Sequence, residues 1–166
     1  MTSPAPAVAT VQRVLPAPPA AVWEEWLDAE GMAEWMCPRP ARPTKIELDP
    51  RPGGQLRIDI DDAGSELSIT GRYLELDEPR RLSFTWSCST WRPPANSVVT
   101  VTLTPHGDEQ TLMTIHHARL PPDVLGSHHN GWALIGEQLE DWLTRKPRPD
   151  SQPGRSCGNR PAPGGC

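Results

Sequence analysis

The sequence has few aromatic residues other than tryptophan. Its 166 residues include one Tyr, one Phe and seven Trp. Tryptophan must therefore supply nearly all of the large aromatic side chains in any core that the chain forms. The Trp residues are for this reason the first candidates both for core packing and for the walls of a ligand site.

Long apolar runs are also missing. No apolar stretch approaches the roughly 20 residues that a membrane-spanning helix needs. The first ten residues lack the basic start and apolar segment of a secretory signal. We therefore expect a cytoplasmic protein with no membrane partner.

The sequence lacks basic clusters and paired cysteine motifs. The formal net charge is −5, and acidic and basic residues are interspersed, whereas a nucleic-acid-binding surface concentrates basic residues on one face. Cys37, Cys88, Cys157 and Cys166 show neither CxxC spacing nor the cysteine density of a small secreted domain. We expect reduced thiols and no nucleic-acid partner.

The N-terminal part of the chain predicts one strand followed by two short helices. Residues 8–15 are typical of a strand that ends at a group of prolines. Residues 20–29 place Val22, Trp23, Trp26 and Leu27 at helical spacing. Residues 30–36 predict a second short helix, which the following prolines end.

Residues 45–117 predict an antiparallel meander of strands. Apolar and polar residues alternate there with a period of two, and turn signals recur between the apolar segments. Up to Tyr73 the apolar residues occupy odd-numbered positions, and after it they occupy even-numbered ones. This change of alternation indicates a β-bulge near Gly71. One face of this sheet is apolar, so another element must cover it.

Residues 122–144 predict the covering helix. Trp132, Ile135, Leu139 and Trp142 recur on one helical face, opposite acidic residues. About 20 helical residues span roughly 30 Å, enough to cross a sheet. The following residues are rich in Pro, Gly and Ser, so we expect one domain at 8–145 and a disordered tail at 146–166.

Five segments in this order resemble a known family. They read PAPPAAVWEEWLDAEGMAEWM, LDPRPGGQLRIDI, GRYLELDEPRRLSFTW, TLMTIHH and HHNGWALIGEQLEDWL. Together they resemble the START-like (SRPBCC, or helix-grip) superfamily, in particular the branch named after the activator of Hsp90 ATPase, the AHSA1-like proteins. The resemblance implies an α+β helix-grip fold. In this fold a curved antiparallel sheet of six to seven strands wraps around a long C-terminal helix, with two short helices after the first strand.

The resemblance also implies a deep cavity between sheet and helix that binds or transforms hydrophobic ligands. Members commonly have two adjacent Trp followed by Gly-Pro after the helical hairpin, whereas here Trp35 precedes Met36, Cys37 and Pro38. We therefore expect a different shape at the cavity mouth. Bacterial-type members lack the extra N-terminal domain of the Hsp90 co-chaperones, and this chain has no room for one, so no chaperone partner is expected.

The first functional hypothesis is the binding of a hydrophobic or aromatic small molecule in this cavity. Trp and Met side chains suit the walls of such a site, although the same positions fit ordinary core packing. The sequence leaves the ligand's identity and the oligomeric state open, including a homodimer. The candidate ligand-binding residues are Trp35, Met36, Ile58, Trp86, Ile115, His117, His128, Trp132 and Ile135.

Two histidine pairs raise the alternatives of metal binding and catalysis. Only one residue of each pair can point inward; parity selects His117, and helical spacing selects His128. Two inward histidines are too few for a stable zinc site, so we expect no metal and no cofactor. A cyclase- or hydrolase-like enzyme would use one of these histidines as general base, but no catalytic motif accompanies them. A protein-interaction module is the third hypothesis.

Removal of the tail should leave the domain's stability unchanged. The segment 148–166 has almost no apolar side chains to bury, so contacts cannot offset the entropy lost by ordering it. Truncation after Lys146 should keep the melting temperature within about 2 °C of the full chain in calorimetry. A larger drop would mean that the tail packs on the domain.

Overall fold

The described chain runs through one strand, two short helices, six further strands and a long C-terminal helix. The structure is a computed structural model and describes residues 7–146. The rest of the predicted tail, with Cys157 and Cys166, lies outside the described residues. The helices are α1 (Pro19–Leu27), α2 (Ala29–Trp35) and α3 (Leu125–Arg145), with a short 3-10 helix at Pro122–Val124. The strands are β1 (Ala7–Leu15), β2 (Arg42–Leu48), β3 (Gln55–Asp62), β4 (Ser65–Asp77), β5 (Arg81–Cys88), β6 (Ser97–Pro105) and β7 (Thr111–Leu120).

The strands form one seven-stranded antiparallel sheet in the order β1-β7-β6-β5-β4-β3-β2. Strands β2 to β7 follow one another as a meander, and β1 joins the far edge beside β7. One face of this sheet packs against α3. The predicted α+β helix-grip fold is therefore confirmed.

The predicted bulge near Gly71 was placed too early. The register between β4 and β5 shifts between Tyr73 and Glu75, so Tyr73 is 1% exposed and Leu74 beside it 50% exposed. Gly71 has another role, because a Cβ atom built on it would lie 1.8 Å from the carbonyl oxygen of Thr85. The glycine thus allows close contact between β4 and β5 rather than marking the bulge.

Helix α3 covers the sheet with its apolar face. Its buried residues include Trp132, Ile135, Leu139 and Leu143. The predicted helix at 122–144 is found as two elements, because the first three residues after Pro121 form the 3-10 helix and α3 begins at Leu125. No helix within residues 7–146 has both the length and the apolar character needed to cross a bilayer.

A buried carboxylate joins α1 to the end of α3. Glu25 is 1% exposed. Its Oε1 accepts a hydrogen bond of 2.9 Å from Trp142 Nε1, and its Oε2 forms an ion pair with the Lys146 ammonium. A buried charge is costly unless it is paired and hydrogen-bonded. Both partners come from the C-terminal end of the described chain, so this contact fixes that end on the domain.

Substitution of Leu139 tests the role of α3 as the cover of the core. Leu139 is 0% exposed, whereas Leu134 on the same helix is 42% exposed. Leu139→Ala should lower the free energy of unfolding by about 2–5 kcal/mol, the usual range for truncating a buried leucine. Leu134→Ala, the matched control, should change it by no more than about 0.5 kcal/mol in urea titration. Equal effects at the two positions would contradict the observed packing.

Candidate functional site

A cavity of about 790 Å³ lies between the N-terminal half of α3 and one end of the sheet. Five segments line it: the loop after α2, the paired ends of β3 and β4, the β5–β6 connection, the β7–α3 connection and the first turns of α3. Its volume falls in the range of roughly 300–1,000 Å³ that is typical of small-molecule sites. The fold therefore places a ligand-sized space where the helix and the sheet diverge.

Five of the nine predicted site residues line this cavity: Met36, Trp86, His128, Trp132 and Ile135. The other four, Trp35, Ile58, Ile115 and His117, are 0% exposed and do not line it. Strand alternation identifies the inward face of a strand but gives no position along the sheet. The sequence-based prediction therefore combined residues of the cavity wall with residues of the solid core.

Sequence reasoning missed Trp91, which lines the cavity from the β5–β6 loop. Trp91 is 6% exposed, and its ring centroid lies 5.5 Å from that of His128. A large aromatic residue within an otherwise polar and Pro-rich segment was the available signal. A loop residue this deeply buried shows that the loop packs over the site rather than extending into solvent.

Aromatic rings form a large part of the cavity wall. The centroids of Trp86 and Trp132 lie 5.2 Å apart. The cluster continues into the core, where Phe84 lies 6.2 Å from Trp86 and Trp26 lies 6.3 Å from Trp132. Aromatic pairs at these separations attract one another in tilted arrangements. The wall is thus continuous with the core and is held in place by it.

A chain of hydrogen bonds connects two of the three Trp residues of the wall, Trp132 and Trp86. Trp132 Nε1 donates to His117 Nδ1 at 2.9 Å. Because an indole nitrogen only donates, Nδ1 is the acceptor and the neutral His117 ring carries its proton on Nε2. His117 Nε2 then donates to Ser97 Oγ at 2.7 Å, and Ser97 Oγ donates to the Trp86 carbonyl at 2.6 Å. Every polar atom in this chain has a partner.

These contacts make His117 a structural residue of the wall. Burial, together with the smaller effects of His128 and His116, lowers its pKa from the ordinary 6.5 to about 3. Both ring nitrogens are engaged by protein groups. The predicted inward orientation of His117 is confirmed, but neither of its nitrogens is available to a substrate or a metal ion.

His128 presents a different ring nitrogen to its surroundings. Its Nδ1 lies 3.1 Å from the Val124 carbonyl, so Nδ1 carries the proton and Nε2 is an acceptor in the neutral ring. Burial lowers the pKa of His128, and the bond to Val124 only partly opposes this effect. Within residues 7–146, no protein group is hydrogen-bonded to Nε2. His128 is therefore the cavity histidine that has a free acceptor.

The indole nitrogen of Trp86 is a buried donor without a partner. Four buried side chains have a polar atom without a hydrogen-bond partner among the described residues: Trp26, Trp35, Tyr73 and Trp86. Of these four, Trp86 lines the cavity. An unpaired buried donor is costly, but this nitrogen is itself buried, so the ring of Trp86 rather than its N–H group forms the cavity surface.

Gln138 fixes the loop that forms the wall after α2. Its Nε2 donates to the carbonyls of Trp35 and Cys37, both at 2.8 Å, and its Oε1 accepts from the Arg39 backbone N–H at 3.0 Å. The Arg39 guanidinium also donates to the carbonyls of Met36 and Cys37. The residues after Trp35, which differ from the pattern common in the family, thus form a loop that Gln138 and Arg39 hold in place.

Of the two described cysteines, Cys37 is not suited to act as a nucleophile. Cys37 and Cys88 are free thiols that line the cavity. Burial raises the pKa of Cys37 to about 12. A thiol with such a pKa stays protonated at neutral pH and is a poor nucleophile. Cys37 therefore acts as a small apolar part of the wall.

Charges at the cavity edge are balanced. The charged lining residues are Asp62, Arg92, Arg119 and Asp123, all exposed. Arg92 also donates to the backbone carbonyls of Ser89 and Trp91. Two acidic and two basic side chains at the surface give no preference for a charged ligand, and the buried wall adds no charge.

The acid sensitivity of the protein should depend on His117. Its folded-state pKa lies below the ordinary 6.5, so the unfolded chain binds a proton first as the pH falls. The stabilising effect is complete above pH 6.5 and is lost as the pH falls toward 3. His117→Gln, which can keep both hydrogen bonds, should reduce the slope of unfolding free energy between pH 6 and 4 by up to about 1.4 kcal/mol per pH unit. An NMR titration of the His117 ring with a midpoint near 6.5 would contradict this prediction.

Solved structures of several bacterial proteins are similar to this chain. A Chromobacterium violaceum protein is 26% identical, with a TM-score of 0.75, over 85% of this chain and 100% of its own. A Mesorhizobium loti protein is 26% identical, with a TM-score of 0.71, over 85% of this chain and 99% of its own. A Silicibacter pomeroyi AHSA1 protein is 20% identical, with a TM-score of 0.74, over 83% and 98% of the two chains, and shows the shared fold.

No functionally curated protein matches the chain. The model of the family described as "Activator of Hsp90 ATPase homolog 1-like protein" matches residues 16–144. This match extends from the loop before α1 to the last turn of α3 and includes the whole cavity wall. Its fold is that of a ligand-binding or co-chaperone-like module. The chain belongs to the activator of Hsp90 ATPase homolog 1-like family.

Proposed function

We propose that this protein binds a neutral, hydrophobic small molecule in the cavity between α3 and the sheet. The observation that carries the proposal is the 790 Å³ space walled by Met36, Trp86, Trp91, Trp132 and Ile135. Protein interiors are normally packed to the density of organic crystals. Such a large space bounded by apolar side chains is favourable for an apolar ligand and poor for water, which needs polar partners.

The same contacts favour binding over catalysis. A general base needs a free nitrogen with a pKa near the working pH. Both nitrogens of His117 are engaged, and burial lowers the pKa of His128. The Cys37 thiol is protonated. The wall residues thus support retention of a ligand more than its conversion.

A protein-interaction role has less support on the described surface. The exposed large apolar residues are Val8, Val14, Leu74 and Leu134. They lie on β1, β4 and α3. Single exposed apolar residues are normal on soluble proteins, whereas interaction sites form contiguous patches. The cavity with its apolar wall is therefore the stronger basis for function.

A space-filling substitution tests this proposal. Ile135 lines the cavity and Leu139, one turn later, lies fully buried outside it. Ile135→Phe should remain stable because the added ring can enter the cavity, but it should weaken binding of 2-ethylnaphthalene at least tenfold, about 1.4 kcal/mol. Leu139→Phe, the matched control, should be destabilised by about 1–3 kcal/mol through overpacking and should keep the wild-type affinity.

Binding is measured by NMR with the protein in excess over this sparingly soluble ligand. Saturable 1:1 binding to the wild type, with shifts confined to the cavity wall, is the expected result. Absence of binding to the wild type, or equal affinity of Ile135→Phe, would refute the proposed site. Chemical denaturation of the same three proteins gives their stabilities.

A further inference from the structure

Gly131 occupies the middle of the cavity wall that α3 forms. The lining residues of this helix are Ser127, His128, Gly131, Trp132 and Ile135. Residues three or four positions apart lie on the same face of a helix. Gly131 therefore lies between His128, one turn before it, and Ile135, one turn after it. The centre of this wall is thus helix backbone without a side chain.

Glycine in the interior of a helix needs a physical reason, because apart from proline it is the least favourable residue there. Helix α3 contains three glycines. At Gly136 the reason is packing, since an added Cβ atom would lie 3.2 Å from Cδ of Arg13 on β1. Gly126 is exposed and lies in the first turn, whose N–H groups have no partner within the helix in any case. Gly131 lies in the interior of the helix and has neither reason.

Packing within the protein does not require glycine at position 131. A Cβ atom added there would lie 3.6 Å from Cγ of Pro38, an ordinary van der Waals distance. Apart from the chain neighbours and the local helix backbone, no other atom of residues 7–146 would lie within 4 Å of it. An alanine would therefore fit, would contact Pro38 and would favour the helix. The cavity is the remaining neighbour that can determine the residue at this position.

The bare backbone of Gly131 and the ring of Pro38 form a notch in the cavity wall. Pro38 belongs to the loop after α2. Gln138 holds this loop on α3, because it donates to the Cys37 carbonyl and accepts from the Arg39 N–H. These two hydrogen bonds flank Pro38 in the chain. Movement of the loop relative to the helix would break them, so the width of the notch is fixed.

The notch offers an apolar surface to a ligand. Backbone N–H and C=O groups in the interior of an α-helix are paired with one another, so the exposed atoms at Gly131 are its Cα–H groups. Met36, Trp132 and Ile135 continue the wall with apolar surface. The part of a ligand that faces α3 must therefore be hydrocarbon rather than a polar substituent.

We propose that Gly131 is the specificity-determining residue of the cavity, because an apolar edge of the ligand packs directly on the helix backbone in the notch. This inference rests on the proposed function and adds the place where the ligand contacts α3. It explains why the helix contains a glycine whose replacement by alanine would stabilise it. A side chain at this position strengthens the helix and weakens binding.

Substitution of Gly131 separates these two effects. Gly131→Ala should raise the melting temperature by roughly 1–4 °C, since alanine favours a helix interior. It should nevertheless weaken binding of 2-ethylnaphthalene at least about threefold, because a hydrophobic pocket distinguishes a single methylene. Gly131→Leu, with a larger side chain, should weaken binding at least about tenfold. Dissociation constants are measured by NMR titration and stabilities by thermal denaturation.

Gly126→Ala and Gly126→Leu are the matched controls. They introduce the same side chains on the same helix, at an exposed position that does not line the cavity. Both should keep the wild-type affinity for 2-ethylnaphthalene. Loss of affinity in these controls equal to that of the Gly131 variants would contradict the assignment.

A second readout needs no variant. In the complex of the wild-type protein, protons of 2-ethylnaphthalene should give intermolecular NOEs to the two α protons of Gly131 and none to those of Gly126. These NOEs report the contact with the helix backbone itself, which a change of stability would not produce.

The possible failures are distinguishable. Suppose that 2-ethylnaphthalene binds the wild type with shifts confined to the cavity wall. If Gly131 then shows no NOE, or if both Gly131 variants keep the wild-type affinity, this inference is wrong and the proposed function stands. A lower melting temperature of Gly131→Ala also overturns it, because the fold itself would then require glycine. If the probe does not bind the wild type, both the proposed function and this inference fail.

Discussion

The hydrogen bond from Trp132 to His117 is the contact on which the cavity depends. It joins α3 to β7, the strand next to the β1 edge of the sheet, and it does so at a residue that is completely buried. Because an indole can only donate, the bond fixes the His117 tautomer, and the other nitrogen then donates to Ser97. Ser97 in turn donates to the Trp86 carbonyl. Two aromatic walls from different elements are thus held at a defined separation by one continuous polar chain.

The cavity persists because the two halves of α3 have different partners. Toward its C-terminus the helix is in direct contact with the core through Leu139 and Leu143, and Trp142 reaches Glu25 on α1. Toward its N-terminus, Gly131 and Trp132 line open space. Gln138 lies between these halves and fixes the loop after α2 through hydrogen bonds to the carbonyls of Trp35 and Cys37. Polar contacts keep the walls apart while apolar side chains face the space.

This arrangement explains why buried titratable groups in the cavity wall do not by themselves indicate catalysis. The depressed pKa of His117 follows from burial and from its fixed role as acceptor and donor. The raised pKa of Cys37 likewise reflects an apolar environment. Perturbed pKa values are frequent at active sites but also arise in structural networks.

The sequence alone determined the order of elements and the inward direction of His117, and the family resemblance implied the helix-grip fold. Periodicity carries this information, because an apolar face must be buried whatever the details of packing. Only the tertiary structure decided that Ile58 and Ile115 lie in solid core while Trp91 from a loop joins the wall. Likewise, only the packed chain shows that His117 is occupied by Trp132 and Ser97. Whether an inward side chain lies in the core or in the cavity wall depends on residues distant in the chain, and so do its hydrogen-bond partners. No local sequence pattern encodes either property.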